Sequence, residues 1–381
     1  MISLKTFKLL NQKYSYLYDT SYIKLEHKTT NCGYLHYGEI NYYHCENKIR
    51  ALASSIDMDV EMSQIKLYAE AMERYFSSIY DKNELVYSSF NDNPKKFEDI
   101  EQFINSTQIN YKDYKNNEIY WDTVTSEKGE ITKIPAHLIY TPFKENSYLR
   151  LPITVGTSLW YTKKGSLYNS IMEVIERNDL MIMYFNKDEP QKIDINSLSS
   201  NSEFKYWCEI AIQMNYRVSI FKINKSELYH TILCVLESIE DSISKSAVIL
   251  NSSSDIEVNE AALGAIKESI KSALGVERML RFKEFQNSID IIDVNNFNDR
   301  VRFWKESKNK YLLNFILKTK NKYIMATSKK SPKLNIDQKY DKIITYLQTN
   351  KYKYYIKQLH TEELENYNIH IYKVIIPNMQ P

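Results

Sequence analysis

An α+β fold is what the sequence predicts. Helical and strand-like periodicities intermix along the 381 residues without a steady strand–helix–strand rhythm, and no Gly/Pro/Ser-rich linker divides them. Glycine is scarce as well. Gly33, Gly38, Gly129, Gly156, Gly165, Gly264 and Gly275 are scattered, and neither GxxxxGK[ST] nor GxGxxG occurs, which excludes Walker-type and Rossmann-type nucleotide sites. The charges, 50 Lys+Arg against 48 Asp+Glu, are too balanced for a dedicated duplex DNA binder. The thirty-two tyrosines show no repeated spacing, so no base-stacking platform is read and no nucleic-acid partner is expected.

Residues 1–56 read as a β-rich N-terminal segment of short aromatic strands and turns, with YGEINYYHC the clearest alternation. Residues 57–381 then form one compact domain. Its first helix is expected over 62–80, where Met62, Ile65, Ala69, Met72, Phe76 and Ile79 recur at helical spacing. Residues 86–130 are polar, with a loop signal at 91–94, and strands are expected at 134–141 and 148–155. Helices follow at about 164–184 and 202–214, strands at 217–223, 230–236 and 246–250, and helices at 258–284 and 296–317. The Lys-rich stretch 318–335 reads as a solvated loop, and NIHIYKVII as a final strand.

No signal-peptide core and no span of about 18 apolar residues is present, so a cytoplasmic protein without a membrane segment is expected. Four cysteines in this length do not make a disulfide scaffold. Cys32, His36, His44 and Cys45 lie close together, but their spacing matches no common zinc pattern.

The chemistry is concentrated in two copies of one motif. Glu70-Ala-Met-Glu73-Arg74 lies on the first helix, and Glu173-Val-Ile-Glu176-Arg177 on the second. Positions i, i+3 and i+4 share a helix face, so each copy presents two carboxylates and a guanidinium together. An exposed salt-bridged face would explain the first copy equally well. The second helix is apolar on nearly every side (Leu167, Ile171, Met172, Val174, Ile175, Leu180), so it should be buried on most of its surface. Four carboxylates brought together cannot all stay ionised without cations. Mg²⁺, a hard ion that takes carboxylate and phosphate oxygens together, satisfies them, and the arginines then meet phosphate oxygens directly. A third helix adds Glu268, with Gly264 and Gly275 on its face. These glycines mark either a close approach of ligand or backbone, or nothing more than incidental composition.

With these motifs the chain resembles YcaO-type ATP-dependent enzymes, the kind found in microcin B17- and streptolysin S-type synthetases. The resemblance runs from about residue 50 onward. It rests on the two Glu-x-x-Glu-Arg copies, on Thr154-x-Gly156, on Asn178-Asp179, on Ala261-Ala262 ahead of Glu268, and on a tail ending Pro377-Asn-Met-Gln-Pro381. It implies an α+β fold with Mg-ATP between helices. Glu70, Glu73, Glu173 and Glu176 would hold Mg²⁺, and Arg74, Arg177 and Glu268 would contact ATP. The family's usual serine four residues before the first glutamate is here Lys66. Its basic residue before Glu268 is Gly264, and the glutamine after it is Lys271. Lys66 and Lys271 are therefore read as replacement positive charges for the nucleotide.

The implied activity is ATP-dependent cyclodehydration of Cys, Ser or Thr in a ribosomally made precursor peptide, by phosphorylation of the backbone amide oxygen. Pro381 would be the proton acceptor through its terminal carboxylate. The implied partners are the precursor peptide, an E1-like or ThiF-like leader-binding protein and a flavin-dependent dehydrogenase, and a homodimer is compatible with all of this. Thioamide- or amidine-forming chemistry and a non-catalytic scaffold stay open as alternatives.

Overall fold

The computed structural model describes residues 2–26, 32–44, 47–103, 115–145, 153–198, 201–240, 242, 244–285, 287–324 and 333–379. The chain opens with helix α1 (Leu4–Tyr14), capped where the Ser3 hydroxyl accepts from Thr6 N–H, and burying Phe7 and Leu10. Strands β1 (Leu17–Glu26), β2 (Cys32–His44) and β3 (Asn47–Asp57) follow as an antiparallel sheet. The N-terminal segment is thus a helix and three long strands rather than short strands and turns.

Helix α2 (Val60–Phe76) starts at Asp59, whose carboxylate accepts from Met62 N–H at 2.7 Å. It ends four residues earlier than the periodicity suggests, and its fully buried stripe runs through Ser63, Leu67, Ala71, Met72 and Phe76. Ile65 and Ala69 are only half-buried, because α2 lies across β2 and β3 with the adjacent face turned toward a cleft.

The polar stretch after α2 holds more structure than its composition suggests. Strands β4 (Val86–Ser88), β5 (Ile119–Ser126) and β6 (Ile131–Pro135) pair there. Trp121 of β5 is fully buried, and its ring stacks on Phe97 at 4.2 Å. The strand expected over 134–141 stops at Pro135 and turns into a 3₁₀ turn at Ala136–Leu138. The strand expected over 148–155 lies largely outside the described residues.

Strand β7 (Thr157–Trp160) leads into helix α3 (Lys163–Asn186), capped by the Thr162 hydroxyl on Gly165 N–H. Burial of α3 is nearly complete as far as Glu176. Beyond that its last turns open to solvent, and Ile182 and Phe185 are exposed.

Next come β8 (Gln191–Ile193), α4 (Ser202–Gln213), β9 (Tyr216–Lys222), β10 (His230–Ser238) and β11 (Val248–Asp255). Helix α5 (Val258–Leu280) packs on β10 and β11 through Ala261, Ala262, Ala265, Ile266, Ile270 and Ala273. Small residues on that stripe let the helix approach the sheet closely.

The helix expected over 296–317 is broken: α6 covers Phe297–Trp304, and a single further helical turn follows at Asn314–Leu317. The side-chain amide of buried Asn309 donates to Phe303 O at 2.7 Å, where a continuing helix would place a backbone N–H, and the chain goes on as a 3₁₀ turn. Within the Lys-rich stretch, β12 (Lys322–Tyr323) pairs parallel with β8. Helix α7 (Ile336–Thr349), β13 (Tyr355–Gln358), the short helix α8 (Glu362–Asn366) and β14 (His370–Ile375) complete the chain.

The described strands form three sheets, ordered β1-β2-β3, β11-β10-β9-β8-β12 and β4-β5-β13-β14-β7, with β6 on β5. The fold is α+β, as expected. Helices α2, α3 and α5 lie where the three sheets meet, and their polar faces line one cleft.

The two glycines of α5 separate here. A Cβ at Gly264 would run into the Ser253 side chain of β11, with Ser253 Cβ 2.8 Å away, whereas nothing lies within 4 Å of a Cβ at Gly275. Helix-interior Gly→Ala normally gains about 0.5–1 kcal/mol. Gly275→Ala is expected to gain that amount and Gly264→Ala to lose stability, read as opposite shifts of the urea midpoint.

Candidate functional site

The cleft has a volume of about 690 Å³ and brings together Glu70, Glu73, Arg74, Glu173, Glu176 and Arg177, with Lys66, Glu268 and Lys271 also on its walls. Each motif carboxylate is held by its own donor, the four coming from three segments of the chain. Glu70 Oε2 accepts from Ser54 N–H of β3 at 2.9 Å, and its Oε1 from Arg74 at 2.8 Å. Glu73 Oε1 accepts from Leu159 N–H of β7 at 2.5 Å. Glu173 Oε2 accepts from Gly156 N–H at 2.9 Å, and Glu176 Oε1 from the Ser252 hydroxyl of β11 at 2.7 Å.

Gly156 is required where it stands. Its φ is +85°, and a Cβ there would strike the Val374 carbonyl of β14. The segment leading to it is fastened by Lys373, which is 1% exposed and donates to Ile153 O at 2.8 Å and Val155 O at 2.6 Å.

The electrostatics follow from this crowding. Burial pushes the Glu73 carboxyl up to about 8; the Leu159 N–H opposes the rise, and the neighbouring Glu70 and Glu173 add to it. Burial likewise raises Glu176 to about 7 against the pull of Arg177 and Ser252. Glu173 is raised by burial too, although Arg177, Gly156 N–H, Lys373 and Arg74 all favour its anion. Arg74 is held more firmly protonated, because the glutamates around it outweigh its own burial.

Lys66 and Lys271 reach the cleft already paired. Lys66 Nζ lies 2.5 Å from Asp57, and Lys271 Nζ 2.8 Å from Glu268. Arg177 stands differently: its Nε is buried without a hydrogen bond and lies 3.9 Å from Glu176. Asp179 turns away from the cleft and accepts from the Thr231 hydroxyl of β10 at 2.5 Å. Pro381 lies outside the described residues.

Several residues here escaped sequence reasoning. Lys267 bridges Asp57 at 3.4 Å and Glu203 at 2.8 Å, Ser252 fixes Glu176, and Lys373 fixes the turn before β7. None belongs to a recognisable motif. Only a buried lysine within the apolar run Ile371–Ile376 was available as a signal. Of the N-terminal Cys/His group, His36 Nδ1 is hydrogen-bonded to Ser63 Oγ at 2.9 Å, while the side chains of Cys32 and His44, and all of Cys45, lie outside the described residues.

Comparison with known proteins places this geometry. The family model for YcaO cyclodehydratase, ATP- and Mg²⁺-binding, matches residues 57–380.

The chain belongs to the YcaO family.

It is accordingly related to ATP-dependent enzymes, with ATP and Mg²⁺ as cofactors. No curated protein matches it in sequence. Among solved structures it is similar to YcaO from Methanopyrus kandleri bound with AMPPCP and Mg²⁺ (TM-score 0.69, 11% identity, 98% of this chain and 90% of that one). It is similar also to a heterocyclase in complex with substrate and cofactor (TM-score 0.71, 13% identity, 98% of this chain, 52% of that one). The E. coli microcin synthetase McbBCD complex gives a TM-score of 0.63 at 14% identity, over 94% of this chain and 87% of that one.

The residues of this YcaO protein fit the two cofactors. In Glu73, Glu173 and Glu176 one carboxylate oxygen is fixed by an N–H or hydroxyl, and among the described residues the other has no hydrogen-bond partner. Such an all-oxygen donor set suits a hard divalent cation. The unbonded Arg177 Nε suits an anionic oxygen. Among the described residues no helix is long and apolar enough to cross a membrane.

A pH dependence follows. Without metal, Glu73 and Glu176 hold protons in the folded state at pH values where the unfolded chain has lost them. The stability of the metal-free protein is therefore expected to fall as pH rises from about 4.5 toward 8. Mg²⁺ held by these carboxylates would displace those protons, so its affinity should rise between pH 6 and 8 with proton release. Calorimetry in buffers of different ionisation enthalpy measures that release; a pH-independent affinity would contradict the assignment.

Proposed function

We propose that this YcaO protein is an ATP-dependent cyclodehydratase that converts Cys, Ser or Thr of a ribosomally made precursor peptide into thiazoline or oxazoline. The observation that supports this reading most is the set of four glutamates, each steered by its own donor into one cleft beside two arginines. The cleft's described lining includes no cysteine or histidine, which suits a reaction whose nucleophile belongs to the substrate. Residues 57–381 would be the catalytic domain, with 1–56 adding a β-rich segment whose Ser54 N–H reaches Glu70.

In this reading Glu70, Glu73, Glu173 and Glu176 hold Mg²⁺, while Arg74, Arg177, Glu268, Lys66 and Lys271 grip ATP. Bound ATP supplies the phosphoryl group that makes the attacked amide oxygen a leaving group. The chain's own part is orientation and neutralisation of charge as it develops. Lys66 and Lys271 would exchange Asp57 and Glu268 for phosphate oxygens. Pro381 would be the proton acceptor; the last described residue of the tail, Met379, packs among apolar α3 residues. An E1-like partner, a flavin-dependent dehydrogenase and self-association to a homodimer belong to the same proposal, with the cytoplasm as the compartment.

A scaffold reading is favoured by one observation: the two replacement lysines already have acidic partners. Titration of Mg·ATP separates the readings. Wild type is expected to bind, and the Glu70→Gln, Glu173→Gln double mutant to bind roughly 100-fold more weakly, ~2.7 kcal/mol. No binding by wild type, repeated with its partner present, would establish the scaffold. Lys66→Ala and Lys271→Ala should each raise KM for ATP, measured as phosphate release with precursor present. One residue appended after Pro381 should depress turnover while leaving ATP binding intact.

A further inference from the structure

Away from the cleft, the connection from β13 to β14 gathers three metal-ligating side chains. His360 follows β13, Glu365 lies on α8 and His370 opens β14. One ligand atom of each lies within 4.8 Å of the other two. The two imidazole rings stand 5.3 Å apart at 82°.

Two further observations point to a ligand. His360 is 5% exposed, and its Nε2 has no hydrogen-bond partner. Its Nδ1 lies 2.9 Å from Ile371 N and 3.0 Å from Ile371 O, so the ring has a backbone partner in either tautomer. The tautomer that donates Nδ1–H to the Ile371 carbonyl leaves a lone pair on Nε2, the arrangement usual for a metal-bound histidine. His370 Nδ1 is also buried without a partner. Orphaned buried nitrogens are destabilising, and two of them beside one carboxylate share a single remedy.

We propose that His360, Glu365 and His370 form a second metal site, for a zinc-class divalent ion, with water as fourth ligand. Imidazole with carboxylate suits Zn²⁺ and not Mg²⁺, which separates this site chemically from the all-carboxylate cleft. Glu365 is exposed and gives the ion access from solvent. The role is structural: the ion pins the start of β14, the strand that carries Lys373 and the Val374 carbonyl against the Gly156 turn.

The test uses the full chain stripped with EDTA and titrated with Zn²⁺ by calorimetry, and with Co²⁺ by visible absorption. One equivalent of Zn²⁺ is expected, with the intense d–d bands of four-coordinate Co²⁺. Loss of a mere supporting partner of a ligand weakens metal binding about 10–100-fold. His370→Ala and Glu365→Gln should each therefore cost at least about 100-fold. Glu365→Gln changes one exposed side chain and keeps the fold, which circular dichroism verifies. The Glu70→Gln, Glu173→Gln variant should retain the equivalent. Absence of stoichiometric binding by wild type, undiminished binding in both His370→Ala and Glu365→Gln, or loss of the equivalent in the cleft variant instead would each overturn the proposal.

Discussion

The organisation of this protein depends on one electrostatic constraint: four carboxylates from two helices share a poorly hydrated cleft. Left alone, such a group lowers its charge by holding protons, and Glu73 and Glu176 are displaced toward neutrality for that reason. The surrounding structure resists full collapse into carboxylate–arginine pairs by giving each glutamate its own donor. Ser54, the stretch Gly156–Leu159 and Ser252 are three segments of the chain, one from each sheet or its approach. The three sheets meet at the cleft, and the helix faces between them are polar there and apolar elsewhere.

The same constraint accounts for the shortage of glycine. A phosphate loop needs several glycines because its backbone N–H groups must turn toward the ligand. Here the N–H groups turn toward glutamates, and side chains are left to meet the ligand. Only Gly156 retains the loop-like role. Its left-handed backbone aims one N–H at Glu173, and its missing Cβ admits the Val374 carbonyl. Lys373, buried with its ammonium on Ile153 O and Val155 O, holds the turn from below and adds positive potential near Glu173. A cation buried at such cost, among the buried Ile371, Tyr372, Val374 and Ile375 of β14, is explained by the turn it secures.

The convergence of the motif residues on one cleft was legible in the sequence because both Glu-x-x-Glu-Arg copies are side-chain patterns at helical spacing, and the α+β class followed from intermixed periods. The supporting shell was not legible, since three of its four donors are backbone N–H groups, which leave no residue signature. Missed elements divide by cause. Helix α7 did carry a signal, the capping box in which Asn335 and Gln338 satisfy each other's backbone. Trp121, in the stretch dismissed as polar, occupies the core through a single ring. The overlong helix at 296–317 failed on a local competition, the Asn309 amide taking the Phe303 carbonyl six residues earlier. Gly264 marks a backbone approach to β11, whereas Gly275 meets nothing.

The state of the cleft's cations indicates how an anionic ligand and a divalent ion would enter together. Arg74 is bound to Glu70, Lys66 to Asp57, and Lys271 to Glu268. In this condition three of the cleft's cations are each paired with a carboxylate. An anion alone would have to strip cations from carboxylates and leave those carboxylates repelling one another. A divalent ion alone would leave guanidinium and ammonium groups unpaired. On the proposed function, if both arrived together the carboxylates would pass to the divalent ion and the cations to the anion, so that pairs would be exchanged and not lost. Desolvation of these groups has already been met in folding, so it opposes binding less than it would at an open surface. Arg177, whose Nε lacks a hydrogen bond and lies 3.9 Å from Glu176, is held less closely than these three, so on the proposed function it would give up the least on meeting the anion.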